Sequence, residues 1–369
     1  MKAAARRSIP EDRAVPKLDL RMPAEWEAHQ ATWLAWPHYR GDWPGKFEPI
    51  PWVYAEIIRH LAKHERVELV VNDAAAEKNA KKVLERANAF AKNVRFHRWP
   101  TDRVWLRDSG CTFVVDANRP DEDSLQPLHA VTWRFNAWAK YPNWKKDRLI
   151  GNRMAKAIKS PTITPVFNGR PVVLEGGSID VNGRGTLLTT EECLLSTEQQ
   201  RNPGVGREDY EKIFHDYLGV KTVIWLERGI VGDDTHGHVD DISRFVGPNT
   251  VVTVVEENRK DENYAALQEN LRRLRNAVDQ DGRPLQVVEL PMPGPVIFEG
   301  RRLPASYGNF YIGNRVVLVP VFNDRNDRRA LNILSDLFPD REVIGIYSGD
   351  LIWGFGAMHC MTQQQPAVR

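Results

Sequence analysis

Apolar residues along this chain alternate between two spacings. Short runs rich in β-branched residues, which mark buried strands, are separated by stretches whose apolar positions recur every third or fourth residue, which mark helices packed on one face. Val172 to Thr190 has strand residues on both sides of Asn182-Gly183, a pair that favours a two-residue hairpin turn. Tyr210, Ile213, Phe214 and Tyr217 then share one helical face, Gly219 stops the helix, and Thr222 to Leu226 reads as a strand. The same order returns from His238 to Val255, with a turn at Gly247-Pro248-Asn249, a helix through Tyr264, Leu267, Leu271, Leu274 and Val278, and a strand over Leu285 to Leu290. It returns once more from Asn309 to Phe322 around Gly313-Asn314, with Asp327 capping a helix that carries Ala330, Leu331, Leu334 and Phe338, and Glu342 to Tyr347 as the strand. Successive hairpins begin about 65 to 70 residues apart, so the chain is built from repeats.

A fainter copy precedes these, with strands at Trp105 to Asp116 and Ala130 to Phe135, a helix over Asp147 to Ile158 and a strand over Thr162 to Phe167. Ahead of it, Ala31 to Pro37 and Val67 to Val71 read as strands. A helix opened by Pro51 carries Tyr54, Ile58 and Leu61, and a second, capped by Asp73, carries Ala76, Ala80, Val83, Ala87 and Phe90 before a strand at Val94 to Arg98. This first unit lacks part of its hairpin. The segment after Gly354 is expected to supply the missing strand, so that five units close into a ring without exposed edges. The fold class expected is therefore α/β, with one domain over residues 21–369 behind a solvated tail, residues 1–20, and order beginning near Met22.

Composition narrows the partners. Lys+Arg 51 against Asp+Glu 49 leaves a formal charge of +2 on 369 residues, too balanced for a protein that must neutralise nucleic-acid phosphates, so a small-molecule partner is expected. Three cysteines in a chain of this length do not suggest a disulfide framework. No apolar leader and no run of ~20 apolar residues is present, which predicts a cytoplasmic protein without a membrane partner.

One polar residue at least sits at the start of each unit's first strand: Asp108, Glu175, His238 with Asp240, Asn309, and Cys360. Equivalent positions in a ring of repeats face one axis, so these side chains are expected to converge. A thiol, an imidazole and three carboxylates form a pocket that asks for a cation, and a planar guanidinium offers five N–H donors that carboxylates accept in pairs. On this reading Cys360 attacks the guanidinium carbon, His238 moves protons, Glu175 orients His238, and Asp108 and Asp240 hold the nitrogens. Arg107 is read as pairing with a neighbouring carboxylate, while Asp233, Asp234 and Glu191-Glu192 flank the site and favour an ammonium at the far end of the substrate. His236-Gly237-His238 also matches the His-x-His of metal-dependent amidohydrolases, whose further histidines lie downstream; here only His359 follows.

The segments Met22-Pro23-Ala24-Glu25-Trp26-Glu27, Ala31-Thr32-Trp33-Leu34-Ala35-Trp36-Pro37, Trp105-Leu106-Arg107-Asp108-Ser109-Gly110, Leu174-Glu175-Gly176-Gly177-Ser178-Ile179, Thr189-Thr190-Glu191-Glu192-Cys193-Leu194, Gly237-His238-Val239-Asp240, Ser306-Tyr307 with Asn309-Phe310, and His359-Cys360 with Gln363-Gln364-Gln365-Pro366 resemble the agmatine deiminases. These belong to the guanidine-modifying superfamily, and their fold is the pentein α/β-propeller. The resemblance implies hydrolysis of agmatine to N-carbamoylputrescine and ammonia, as in polyamine biosynthesis. It implies Cys360 as amidino-cysteine nucleophile, His238 with Glu175 as acid/base pair, and Asp108 and Asp240 as guanidinium clamps. Trp105, Asp234 and Asn309 are placed in the substrate-binding set, no metal or organic cofactor is implied, and a homo-oligomer, dimer or tetramer, is. The chain departs from the usual pattern at Phe355 and Ala357, which interrupt a glycine run, and at Cys111 and His236. Arginine or peptidylarginine deimination on the same scaffold, and a pentein-fold binding module without catalysis, stand beside this reading.

Overall fold

One local arrangement recurs through the computed structural model, which describes residues 18–117 and 128–368. A short strand pairs antiparallel with a longer one, a helix crosses over, and a third strand pairs in parallel with the long one. Asp180–Val181, Thr186–Thr190 and Thr222–Leu226 form such a sheet around helix Arg207–Leu218. Ser243–Phe245, Thr250–Val255 and Gln286–Pro291 repeat it around Tyr264–Arg275, and Tyr311–Ile312, Val316–Val321 and Glu342–Tyr347 around Asp327–Leu337. In a fourth sheet Thr112–Asp116 pairs with Leu128–Val131, which runs parallel to Thr162–Ile163 after helix Ile150–Ala157. The fifth joins distant parts of the chain: Gln363–Pro366 lies antiparallel to His29–Ala35, which runs parallel to Arg66–Val71, itself parallel to Val94–Arg98. The strand expected from the segment after Gly354 is thus in place. The fold is mixed α/β.

The long central strands are the most apolar because they are covered on both faces. Val251, Val252 and Val254 of one such strand are buried, and Leu267 and Leu274 of its crossing helix belong to the same apolar cluster. A Leu274→Ala change there costs roughly 2 to 5 kcal/mol, the transfer energy plus an unfilled cavity.

Several boundaries differ from the sequence reading. A tight helical turn precedes the first strand in four of the five units: Leu106–Ser109, Gly176–Ser178, Val239–Asp241 and Met358–Met361. Asp108 therefore lies on a helical turn and not on a strand. The strand expected at Thr162 to Phe167 breaks near Pro165, and Val166–Phe167 pairs instead with Arg170–Pro171. Ala87 and Phe90 fall beyond helix Ala74–Arg86, and Val278 beyond Tyr264–Arg275; Phe90 and Val278 are exposed. Asn326, not Asp327, precedes the last long helix, and the Asp327 carboxylate accepts from Tyr307 Oη at 2.7 Å and from the amides of Phe322 and Asp324 at 3.1 Å. Order begins ahead of Met22, since Leu20–Arg21 pairs with Thr112–Asp116; residues 1–17 of the expected tail lie outside the described residues. Among the described residues no helix is long and apolar enough to cross a membrane.

Candidate active site

The helical turns that precede the first strands help bring the polar residues to one buried point. His238, fully buried, lies with Nδ1 3.9 Å from Asp108 Oδ1 and 4.0 Å from Asp240 Oδ1, and with Nε2 3.8 Å from Glu175 Oε2. Those separations exceed hydrogen-bond reach, and neither ring nitrogen has another hydrogen-bond partner among the described residues. Such close convergence requires glycine at position 177. A Cβ there would run into His238 Nδ1 and come within 3.0 Å of Asp108 Oδ1 and Asp240 Oδ2.

Cys360 closes the other side of the point. Its Sγ is 3.8 Å from Asp240 Oδ2 and accepts from Asn309 Nδ2 at 3.1 Å. Asn309 Oδ1 accepts the amide of His359 at 3.0 Å, so one side chain fixes both the thiol and the turn that carries it. Trp105 packs over Gly356, where a Cβ would meet its ring at 2.7 Å. A narrow cleft leads to the thiol, lined by Arg103, Trp105, Asp108, Trp138, Asp234 and Phe355 among others. Trp138 donates its Nε1 to Asp108 Oδ2 at 2.9 Å from a backbone in which Ala137, Trp138 and Ala139 all have positive φ. Three consecutive non-glycine residues in that region store strain, held here in the wall of the site.

Electrostatics divide these groups. Burial opposes a charged His238, but Asp108, the Cys193 thiol and Glu175 outweigh it and hold the imidazole well above its ordinary pKa. Burial pushes Glu175 up too, yet Arg201, then His238, more than compensate, and its carboxyl stays below the ordinary range. Asp108 is pushed up to about 6, by burial first and then by Asp240 and Glu175, against the pull of His238. Burial also opposes ionisation of Asp240, but His359, hydrogen-bonded to it at 2.6 Å, and His238 bring it below its usual value. The Cys360 thiol is raised well above its ordinary range by burial and by Asp240, Asp241 and Asp108.

A second layer was not legible as site residues. His359 bridges Asp240 and Glu25, with Nε2 2.8 Å from Glu25 Oε2, and Glu25 also pairs with Arg107 at 3.1 Å and Arg244 at 2.9 Å. Arg107 thus takes the structural partner expected of it. The acids read as flanking the site are mostly engaged elsewhere. Asp233 accepts the amides of Thr235, Gly237 and His238, Glu191 pairs with Arg207 and Arg273, and Glu192 accepts the Gly229 amide. Only Asp234 reaches the cleft, where Lys140 and Tyr141 bind it, and Arg103 lines the same cleft.

Two sets of donors lie close enough to ligate an ion: Glu175, Cys193 and His238, and Asp240, Asp241 and Cys360, each within 4.8 Å. Arg201 already sits on Glu175, and His359 and Asn309 occupy oxygens of Asp240 and Asp241. The His-x-His pair does not converge, since His236 faces Ser196 and Glu192 while His238 faces the carboxylates.

A family model described as Porphyromonas-type peptidyl-arginine deiminase matches residues 21–366. The chain belongs to that family. Its relatives there include an agmatine deiminase of Pseudomonas aeruginosa (strain LESB58), 36% identical, with 96% of this chain and 98% of the relative covered. Among solved structures, the agmatine deiminase of Enterococcus faecalis superposes with a TM-score of 0.85 at 30% identity, covering 96% of this chain and 99% of that one. A cysteine-to-serine variant of the C. jejuni agmatine deiminase with substrate bound gives 0.82 at 29% identity, covering 95% and 97%. The resemblance read from the sequence motifs extends over nearly the whole length.

Proposed function

We propose that this chain is an agmatine deiminase, hydrolysing agmatine to N-carbamoylputrescine and ammonia through a covalent amidino-cysteine. The observation that carries the reading is the meeting of Asp108, Glu175 and Asp240 around His238, with the Cys360 thiol beside Asp240. Relatives named agmatine deiminase, matched over nearly all of both chains, support it. A guanidinium between Asp108 and Asp240 brings a second positive charge beside His238, next to the thiol, and lowers the cost of ionising Cys360. Cys360 releases its proton to solvent as the guanidinium binds, the thiolate forms a C–S bond to the guanidinium carbon, and His238 gives its proton to the departing nitrogen as the C–N bond breaks and ammonia leaves. Neutral His238 next takes a proton from water as the hydroxide adds to the thiouronium carbon, and collapse breaks the C–S bond, the hydroxyl proton returning to the Cys360 sulfur as the ureido product is released. Glu175 keeps the imidazole oriented through both steps and favours its charged form before the first and after the second. We read the five three- and four-stranded sheets as blades of a pentein propeller, formed by one domain over residues 21–369. A homo-oligomer in the cytoplasm is proposed from the resemblance. Ammonia release from a panel of guanidines tests the function, and turnover of none of them refutes it.

Arg103 favours a second reading. A guanidinium in the cleft, 2.8 Å from Asp42 and stacked 3.9 Å over Tyr141, offers a partner to a carboxylate at the far end of the substrate, as in arginine. The agmatine-to-arginine ratio of kcat/KM, in the unaltered chain and in Arg103→Ala, separates the two. On the agmatine reading the ratio exceeds about tenfold in both, because Asp234 and not Arg103 meets the substrate's far end.

A further inference from the structure

We infer that Arg201 is a positioning residue for the proposed reaction, holding Glu175 ionised and aimed at His238 from outside the pocket. This rests on the agmatine deiminase reading of the site. Arg201 stands alone in a loop, Gln199-Gln200-Arg201-Asn202-Pro203, and nothing in its local pattern marks it. Its side chain is nonetheless fully buried, as is that of Glu175. Nε lies 3.2 and 3.3 Å from the two Glu175 oxygens. The two terminal nitrogens donate to backbone carbonyls, one to Gln199 at 2.9 Å and the other to Thr235.

This arrangement uses all three corners of a planar fork. Two corners are fixed to backbone, so the third presents Nε to Glu175 at a set angle, and Glu175 in turn presents Oε2 to His238 Nε2. A lysine could supply the charge but not span three acceptors in one plane. Gln199 extends the frame, its Nε2 donating to the carbonyls of Trp138 and Asp234 at 3.2 Å. The loop therefore ties the acid/base pair to the cleft wall that carries Trp138 and Asp234. The charged and titratable groups facing Glu175 are Arg201, His238, Cys193, Asp108 and Tyr210, and Arg201 also faces Cys193 and Asp233. Among the described residues, Arg201 and His238 are the groups that bring positive charge to Glu175, and His238 must lose and regain its own during the reaction. Arg201 is the constant one.

The test compares Arg201→Met and Arg201→Lys with the unaltered full-length chain. Arg201→Met is expected to lower kcat about 100-fold with KM within about threefold, because it weakens proton transfer rather than substrate binding. The acidic limb of kcat should move to higher pH, since a carboxyl without its cation protonates sooner as pH falls. Arg201→Lys should return the limb to its original pH while leaving kcat about tenfold low. Equal kcat in all three, or an acidic limb unmoved in Arg201→Met, overturns the assignment. If Arg201→Met does not fold, Arg201→Lys decides alone: a limb at the original pH with lowered kcat supports it, and unchanged kcat or a displaced limb overturns it. Titration of Glu175 by ¹³C NMR in the unliganded protein, identified by its loss in Glu175→Gln, needs no substrate. There the carboxyl must titrate higher in Arg201→Met than in the unaltered chain, so a failed function reading and a failed role for Arg201 are told apart.

Discussion

Glu175 and Asp108 flank the same imidazole, at 3.8 and 3.9 Å, and both are buried, yet they hold protons in opposite senses. Glu175 stays below the ordinary range and Asp108 is pushed up to about 6. What separates them is the second partner. Glu175 has the Arg201 guanidinium behind it, whereas Asp108 is held by two uncharged donors, the Gly177 amide and the Trp138 indole, each at 2.9 Å. Neutral donors satisfy geometry but contribute less to a buried charge than a cation does. The carboxylate proposed to stay charged throughout has its own cation, and the one proposed to receive the guanidinium would take it from the substrate.

The comparison presupposes that the imidazole serves Cys360. Cys360→Ala should reduce turnover by about 10⁴ or more, and a chain with His238 replaced should accumulate a mass-shifted adduct on Cys360 in mass spectrometry. More than trace activity in Cys360→Ala removes the thiol from the mechanism, and the comparison with it. The sharpest contrast comes from the two carboxylates themselves. Glu175→Gln should lower kcat by roughly 100-fold or more with KM little changed, while Asp108→Asn should raise KM by about 10- to 100-fold through a lost charge-assisted contact. The same kinetic signature in both would erase the distinction.

A milder probe is pH. Asp108 carries a raised pKa, so it is neutral below about 6 and charged above, and kcat/KM should fall about tenfold for each unit below that value, in a limb absent from Asp108→Asn. A limb that persists in Asp108→Asn assigns it elsewhere. The smallest effects are expected outside the pocket. Cys360 lines the cleft and Cys111 lies buried away from it, so an alkylating reagent should modify Cys360 and spare Cys111, and Cys111→Ser should change kcat/KM by less than about twofold. Dialysis against a strong chelator should leave activity unchanged, whereas loss restored by zinc would move the site to metal chemistry.

The repeat was readable because each unit carries a long helix and long strands whose apolar spacing is self-evident. Convergence of Asp108, Glu175, His238, Asp240, Asn309 and Cys360 followed from their equivalent places in it. The helical turns that carry or follow most of them were not readable, since an element as short as Met358–Met361 spans barely one turn and shows no period. Glu25 and Arg201 were missed as members of the site for a related reason. Each acts through partners far away in sequence, His359 and Glu175 respectively, and charge pairing across such distances leaves no local trace. Arg103 went unnoticed because a lone basic residue near a tryptophan usually lies in solvent.

Cys360 precedes by only a few residues the strand Gln363–Pro366, whose sheet partner among the described residues is His29–Ala35, far earlier in the chain. On the ribosome, that partner emerges first and must wait for Gln363–Pro366 to follow. A nascent chain that stops short of Gln363 already holds every carboxylate of the pocket and its imidazole, but the thiol is not yet anchored among them. Anchoring of the thiol therefore waits on residues made after every carboxylate of the pocket, and a chain cut before Gln363 should lack the strand that holds the Cys360 turn against His29–Ala35.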